Sequence, residues 1–198
     1  MAGGVEADRW LGSLSTNLMA ARGGFHGRPL KSGDVLTVAG EPRKPAVSGR
    51  RMGEQLRPDY DDRTLHAIAG PHLERLSPEG RGLLFEAPYR VSRDADRMGY
   101  RLEGPQLDTS GDELLSFGLV SGAVQVPHNG QPILLMADHQ TAGGYPVVAT
   151  VVSAALPIAA QLLPGDELRL VEIEVERAHE MRKALERALE SVRLGSGR

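Results

Sequence analysis

The feature that most constrains this chain is its punctuation. Over residues 65–171, short apolar segments recur, each cut off by Gly, Pro, Asn or Asp before a helical period is established. The segments are 65–68, 89–92, 100–102, 123–126, 133–136, 147–152 and 168–171. Strands of this length, with few helical windows between them, predict a β-barrel or sandwich rather than repeated βαβ units. Asn129-Gly130, between two of the segments, is the strongest hairpin signal in the chain. Short helices are expected over 71–76 and 78–85, the latter with Ser77 as N-cap and Pro78 just inside.

Composition agrees. The 24 glycines and 13 prolines set against 4% aromatics mean many turns and a core of Val, Leu, Ile and Ala. At 198 residues and 40% hydrophobic, the chain can bury a core without covalent staples. The absence of cysteine excludes disulfides, thiolate zinc sites, iron–sulfur clusters and cysteine nucleophiles. A net charge of −3 argues against a nucleic-acid binder, which needs a cationic surface. No apolar run approaches the roughly 20 residues of a membrane helix, and no signal peptide opens the chain, so a cytoplasmic location is expected.

The flanks differ from the centre. Residues 1–40 have no helix-start pattern; a turn at Gly33-Asp34 leads into an expected short strand over 35–38. Residues 41–64, with three prolines and few large apolar side chains before Asp62, read as a linker. The stretch 174–194 reads as an amphipathic helix, with Ala178, Leu185, Leu189 and Val192 near a 3.6-residue period and Gly195-Ser196-Gly197 at its end. Such a helix either docks on the barrel or binds a partner.

Polar and glycine residues cluster at 92–105, 122–133 and 137–146. In the last, an apolar strand delivers Asp138, His139, Gln140 and Thr141 into a loop whose Gly143-Gly144 backbone can approach a carbonyl or phosphate oxygen. Asp138 either holds an amide N–H, acts as a base, or caps a tight turn. Asp96-Arg97 is either a local ion pair or leaves Arg97 to grip a carboxylate or carbonyl. Gln125, inside an apolar strand, is either a satisfied barrel-interior amide or a ligand contact. The six histidines lack metal-ligand spacing, so no metal site is expected. Walker A, GxSxG and dinucleotide-binding patterns are missing as well.

Read together, Asp96 to Pro105, Gly122 to Leu134, Asp138 to Pro146 and Ala160 to Asp166 resemble four motifs of one family. It is the biotin-dependent carboxyltransferase family that includes KipA, allophanate hydrolase subunit 2 and the C component of 5-oxoprolinase. Upstream, Ala2 to Val5, Leu11 to Thr16 and Gly23 to Arg28 resemble further family stretches in the right order, so the resemblance spans roughly 2–172. Ala95, Val124 and Ala142 stand where the family pattern has Ser, Ile and Thr. Family members carry a further N-terminal portion ahead of this point, so an additional coding segment upstream of Met1 is expected.

The resemblance implies a mainly β fold: a cyclophilin-like β-barrel over 65–173, a partial second β subdomain over 1–40, and the C-terminal amphipathic helix. It implies a role as the C component of an ATP-dependent 5-oxoprolinase complex that opens the 5-oxoproline lactam to glutamate. The partners would be a KipI-like B component and a LamB/YcsF-type A component, with ATP bound at the level of the complex. Asp138 and Arg97 would then be catalytic, and Gln125, Gln140, Thr141, Gly143, Gly144 and Tyr145 would bind substrate. The alternatives it implies are a urea or amide carboxyltransferase using carboxybiotin, or a non-catalytic KipA-like protein binding a KipI-like kinase inhibitor.

Overall fold

The computed structural model describes residues 4–40, 53–54 and 57–195. The chain divides into two compact units, Met1–Arg51 and Met52–Arg198. Most of the expected linker lies outside the described residues; its described end runs into the first strand at Thr64.

The larger unit carries β1 (Thr64–Ala69), β2 (Pro88–Val91), β3 (Gly99–Glu103), β4 (Phe117–Gly118), β5 (Ala123–Gln125), β6 (Ile133–Leu135), β7 (Ala142–Gly143), β8 (Val147–Val151) and β9 (Glu167–Glu172). Seven of these close into a barrel in the order β1-β8-β5-β6-β3-β2-β9. The neighbours pair antiparallel except at the closure, where β1 and β9 run parallel from Thr64↔Arg169 to Ala67↔Glu172. The mainly β barrel expected from the punctuation is therefore present. Strand alternation fills it: Leu65 and Ala67 of β1, Tyr89 and Val91 of β2, and Leu168 and Leu170 of β9 are buried in one core with Leu102, Val124 and Leu134. A second, smaller cluster of Leu119, Ala123, Leu135 and Val147 lies apart from it, with Phe117 of β4 and Ile133 of β6 packed against it.

Several expectations are corrected. The β5–β6 hairpin has no two-residue turn, since its paired residues Gln125 and Ile133 enclose a longer loop. Pro127 and Pro132 have no N–H to extend the ladder, so pairing stops before them. Asn129-Gly130 instead ends a turn in which the Gly130 N–H donates to the Pro127 carbonyl at 2.9 Å. The helix expected over 71–76 contracts to a 3-10 turn, Leu73–Arg75. The His72 N–H is committed to the Val147 carbonyl at one end and Leu76 bridges Thr109 at the other, which leaves room for a single turn. The ribbon of β4 and β7 and the helix α2 (Leu156–Ala159) have no sequence counterpart, being too short to show a period.

The helix expected over 78–85 is α1 (Pro78–Glu86), with the Ser77 side chain accepting from the Gly80 N–H at 3.1 Å. The terminal helix is α3 (Val175–Gly195). Among the described residues, Ala178 and Met181 of its first turns pack against the barrel core, and Leu189 is 57% exposed. No described helix is long and apolar enough to cross a membrane.

The smaller unit is built from turns and isolated bridges. The expected strand at 35–38 reduces to one bridge, Val5↔Val38, with Val35 81% exposed. Order there comes from polar contacts. Arg28 donates to both Asp34 carboxylate oxygens at 2.8 and 2.7 Å, and its guanidinium lies 4.8 Å from the centroid of the Phe25 ring. Leu11, Ala21 and His26 all hold positive φ, an uncommon state for residues with a Cβ.

Two stability outcomes follow from the barrel. Gly122 has φ +89, and a Cβ there would sit 2.6 Å from the Val151 carbonyl oxygen, so Gly122→Ala should cost at least about 2 kcal/mol, read as a lower melting temperature. Burial pushes the Tyr89 hydroxyl up from 10.0 to about 12. Its contribution to stability is fully present below pH 10 and is lost as pH rises through 12. Tyr89→Phe should flatten the loss of stability over that range in alkaline melts, while forfeiting the 3.2 Å hydrogen bond to the Leu83 carbonyl at about 1 kcal/mol. An identical alkaline slope in the variant would show that Tyr89 is not the group responsible.

Candidate functional site

The register of three adjacent strands builds the candidate site. Gly99 pairs with Leu135, Arg101 with Ile133, and Gln125 with Ile133, so these residues share the face opposite to the one that Leu102, Val124 and Leu134 turn into the core. A cavity of about 520 Å³ opens on that face. Its polar lining comes from Asp94, Asp96 and Arg101 beside β3, Gln125, His128 and Asn129 at the end of β5, and Gln140 and Tyr145 beyond β6.

Gln125 is the anchor. It is 1% exposed, and its amide is satisfied on both ends. Its Nε2 donates to the Tyr145 carbonyl at 3.3 Å, and its Oε1 accepts from Gln140 Nε2 at 3.4 Å. The alternation of β5 places it on the face opposite Val124, beside the second apolar cluster, where it is a buried amide satisfied by protein partners. The second cluster insulates it, with Leu119 and Leu135 buried alongside Ala123 and Val147. A buried carboxamide with both ends fixed cannot rotate freely, and that holds Gln140 and Tyr145 over the cavity.

Arg97, on the loop leading into β3, meets Asp138, on the loop leaving β6. The Asp138 N–H donates to the Arg97 carbonyl at 2.8 Å, and the Met136 N–H donates to the Met98 carbonyl at 3.0 Å. Their side chains form a bidentate pair, Nε to Oδ2 at 2.7 Å and Nη2 to Oδ1 at 3.1 Å. The hydrogen bond from Arg97 holds the Asp138 carboxyl below its usual range, which favours an ionised acceptor over a proton-taking base. The pair is exposed, 78% at Arg97 and 53% at Asp138. The local Asp96–Arg97 pair does not form. Asp96 instead accepts from the Met98 and Gly99 N–H groups at 2.8 and 3.1 Å, because a short side chain two residues upstream closes a turn readily.

The structure thus brings Gln125, Gln140 and Tyr145 together in the cavity, while Arg97 and Asp138 are absent from its lining. Thr141 is exposed, its carbonyl taken by the Leu119 N–H at 2.9 Å. Gly143 is not in a loop: it belongs to β7 and pairs with Phe117. Neither Gly143 nor Gly144 has positive φ; both are glycine for space. A Cβ at Gly143 would meet Leu119 Cδ1 at 3.0 Å, and one at Gly144 would meet the Leu114 carbonyl oxygen at 2.8 Å. Sequence reasoning misses Asp94, Arg101, His128 and Asn129 as lining residues. For Arg101 a signal exists, since an arginine two residues from Gly99 on one strand face must project beside it.

The lining contains no Ser, Thr, Cys or Lys that would serve as an activated nucleophile. It does contain three carboxamides, of which Gln125 is buried and satisfied within the protein and Gln140 is exposed. Among the described residues, no group of three or more His, Asp or Glu is placed to hold a metal ion.

Comparison with known proteins places the chain in a family. The chain is 37% identical over 193 residues to the C component of the Escherichia coli 5-oxoprolinase, covering 97% of this chain and 61% of that protein. It is 33% identical to the C component of the Haemophilus influenzae 5-oxoprolinase, covering 96% and 60% respectively. The chain therefore spans about three fifths of the length of these curated relatives. Among solved structures, the urea carboxylase of Kluyveromyces lactis superposes with a TM-score of 0.81 at 25% identity, covering 98% of this chain and 19% of that one. Residues 1–172 match the family model described as carboxyltransferase domain, subdomain A and B, and the chain belongs to that family.

Proposed function

We propose that the chain acts as the C component of an ATP-dependent 5-oxoprolinase. The observation that carries this reading is the Gln125–Gln140 carboxamide pair set against a cavity of about 520 Å³. A lactam presents one N–H and one carbonyl on the same edge, and a primary amide complements both. Identity of 37% to a 5-oxoprolinase C component supports the substrate class. The reaction adds water to the lactam carbonyl and breaks the ring C–N bond, giving glutamate.

On this reading Gln140 meets the lactam, Gln125 holds Gln140 in place from beneath, and Tyr145, held by its carbonyl, closes one side. The exposed Arg97–Asp138 pair, outside the cavity lining, presents an ionised carboxylate and a guanidinium that would act on the substrate with Thr141 and the Gly143 and Gly144 backbone as further contacts. The cavity does not fit a triphosphate, because Asp94 and Asp96 oppose a single Arg101 in its lining. ATP accordingly belongs elsewhere in a cytoplasmic complex with a KipI-like B component and a LamB/YcsF-type A component. The TM-score of 0.81 to a urea carboxylase supports a second reading, in which the same amide pocket takes urea and carboxybiotin.

The test is turnover in the reconstituted complex. Gln140→Leu removes an exposed amide and should lower kcat/KM for 5-oxoproline by about ten- to a hundredfold, since one lost partner costs about 1–3 kcal/mol. Asp138→Asn keeps the shape and should lower turnover while shifting the melting temperature little, because exposed ion pairs contribute little to folding. Full activity in Gln140→Leu would remove the lactam reading. Urea-dependent decarboxylation of carboxybiotin by the parent, without 5-oxoproline turnover, would establish the second.

A further inference from the structure

A second cavity of about 360 Å³ adjoins the first, and His128 and Tyr145 line both. Their rings meet edge to face with centroids 6.0 Å apart, forming a two-ring partition. The far side of that partition holds a different chemistry. Its cation is Arg75, on the 3-10 turn between β1 and α1.

Arg75 is fixed at both ends. Its backbone carbonyl accepts from the Ser110 N–H at 2.8 Å and from the Ser110 hydroxyl at 3.1 Å, and the adjacent Leu76 bridges Thr109. Its Nη1 donates to the Asp112 carbonyl at 2.7 Å. The guanidinium lies against the backbone of Gly111, where a Cβ would sit 3.2 Å from Cζ, and the φ of +92 there also favours glycine. Among the described residues Arg75 forms no ion pair. The contact at Nη1 is to a neutral carbonyl, and among the described residues the rest of the donor fork has no hydrogen-bond partner. A guanidinium held in this way matches a carboxylate in a bidentate geometry. Asp112 and Glu113, also in the lining, outnumber the single cation and disfavour a polyanion such as a di- or triphosphate, so the guanidinium fork can take a monoanion at most.

We infer that this second cavity is a carboxylate subsite anchored by Arg75 and separated from the amide-reading cavity by the His128–Tyr145 partition. The inference rests on the lactam reading only for the source of the carboxylate, which is either the lactam substrate's own or that of a separate reactant.

The test is a titration of the full chain with four probes, following the Arg75 Nε–Hε and Gln140 side-chain NMR signals, assigned by through-bond correlation. Acetate carries the carboxylate alone, 2-pyrrolidinone the lactam alone, 5-oxoproline both, and inorganic phosphate the competing anion. Acetate and 5-oxoproline are expected to shift Arg75 saturably, and 2-pyrrolidinone to leave it unmoved. Arg75→Met should weaken 5-oxoproline binding by about tenfold or more, with 2-pyrrolidinone binding unchanged. If acetate shifts Arg75 while 5-oxoproline moves neither Arg75 nor Gln140, the subsite stands with a separate reactant as its ligand and the lactam reading falls. If 5-oxoproline moves Gln140 and no carboxylate moves Arg75, the subsite is overturned and the lactam reading survives. Phosphate acting where acetate does not overturns the carboxylate assignment.

Discussion

Everything in the larger unit hangs on the parallel pairing of β1 with β9. Four consecutive partners, from Thr64↔Arg169 to Ala67↔Glu172, join strands about a hundred residues apart in sequence and close the barrel. Without that seam, β1 and β9 would each present an unpaired edge. With it, each barrel strand has one side committed to a single apolar interior, and the other side is released for other work. On β3, β5 and β6 that released side carries Arg101, Gln125 and Ile133, and there the larger cavity forms. The rigidity that positions Gln125 is therefore the rigidity of the closed barrel, transmitted through register.

Much of this was legible in the chain, and for a physical reason. Apolar segments interrupted by Gly, Pro, Asn and Asp leave few folds open, and all seven predicted segments became barrel strands. The N-cap at Ser77 was equally visible, because a cap and a following proline act locally. What stayed hidden depends on partners distant in sequence. Val35–Val38 has strand composition, yet it gains only one bridge, because a strand needs a neighbour and composition cannot supply one. β4 and β7 are two residues each and exist only through each other.

The candidate site shows the same division. Gln125 was conspicuous as an amide within an apolar run, and it proved to be the buried anchor. Arg97 and Asp138 were each conspicuous, but their meeting at 2.7 Å depends on two loops 41 residues apart. Sequence adjacency suggested Asp96 as the partner of Arg97; backbone N–H groups claimed Asp96 first. Arg75 gave no signal, since its significance lies in the glycine beneath it and the carbonyl that holds it.

The two-ring partition has a consequence for how such a pocket changes over time. Tyr145 gives its carbonyl to Gln125 and its ring to His128, so one residue bounds two chambers of about 520 and 360 Å³. A smaller side chain there would merge the chambers without disturbing the barrel, because its backbone is held independently of its ring. A change at that ring alters the wall between the chambers while the strand register that positions Gln125 stays in place.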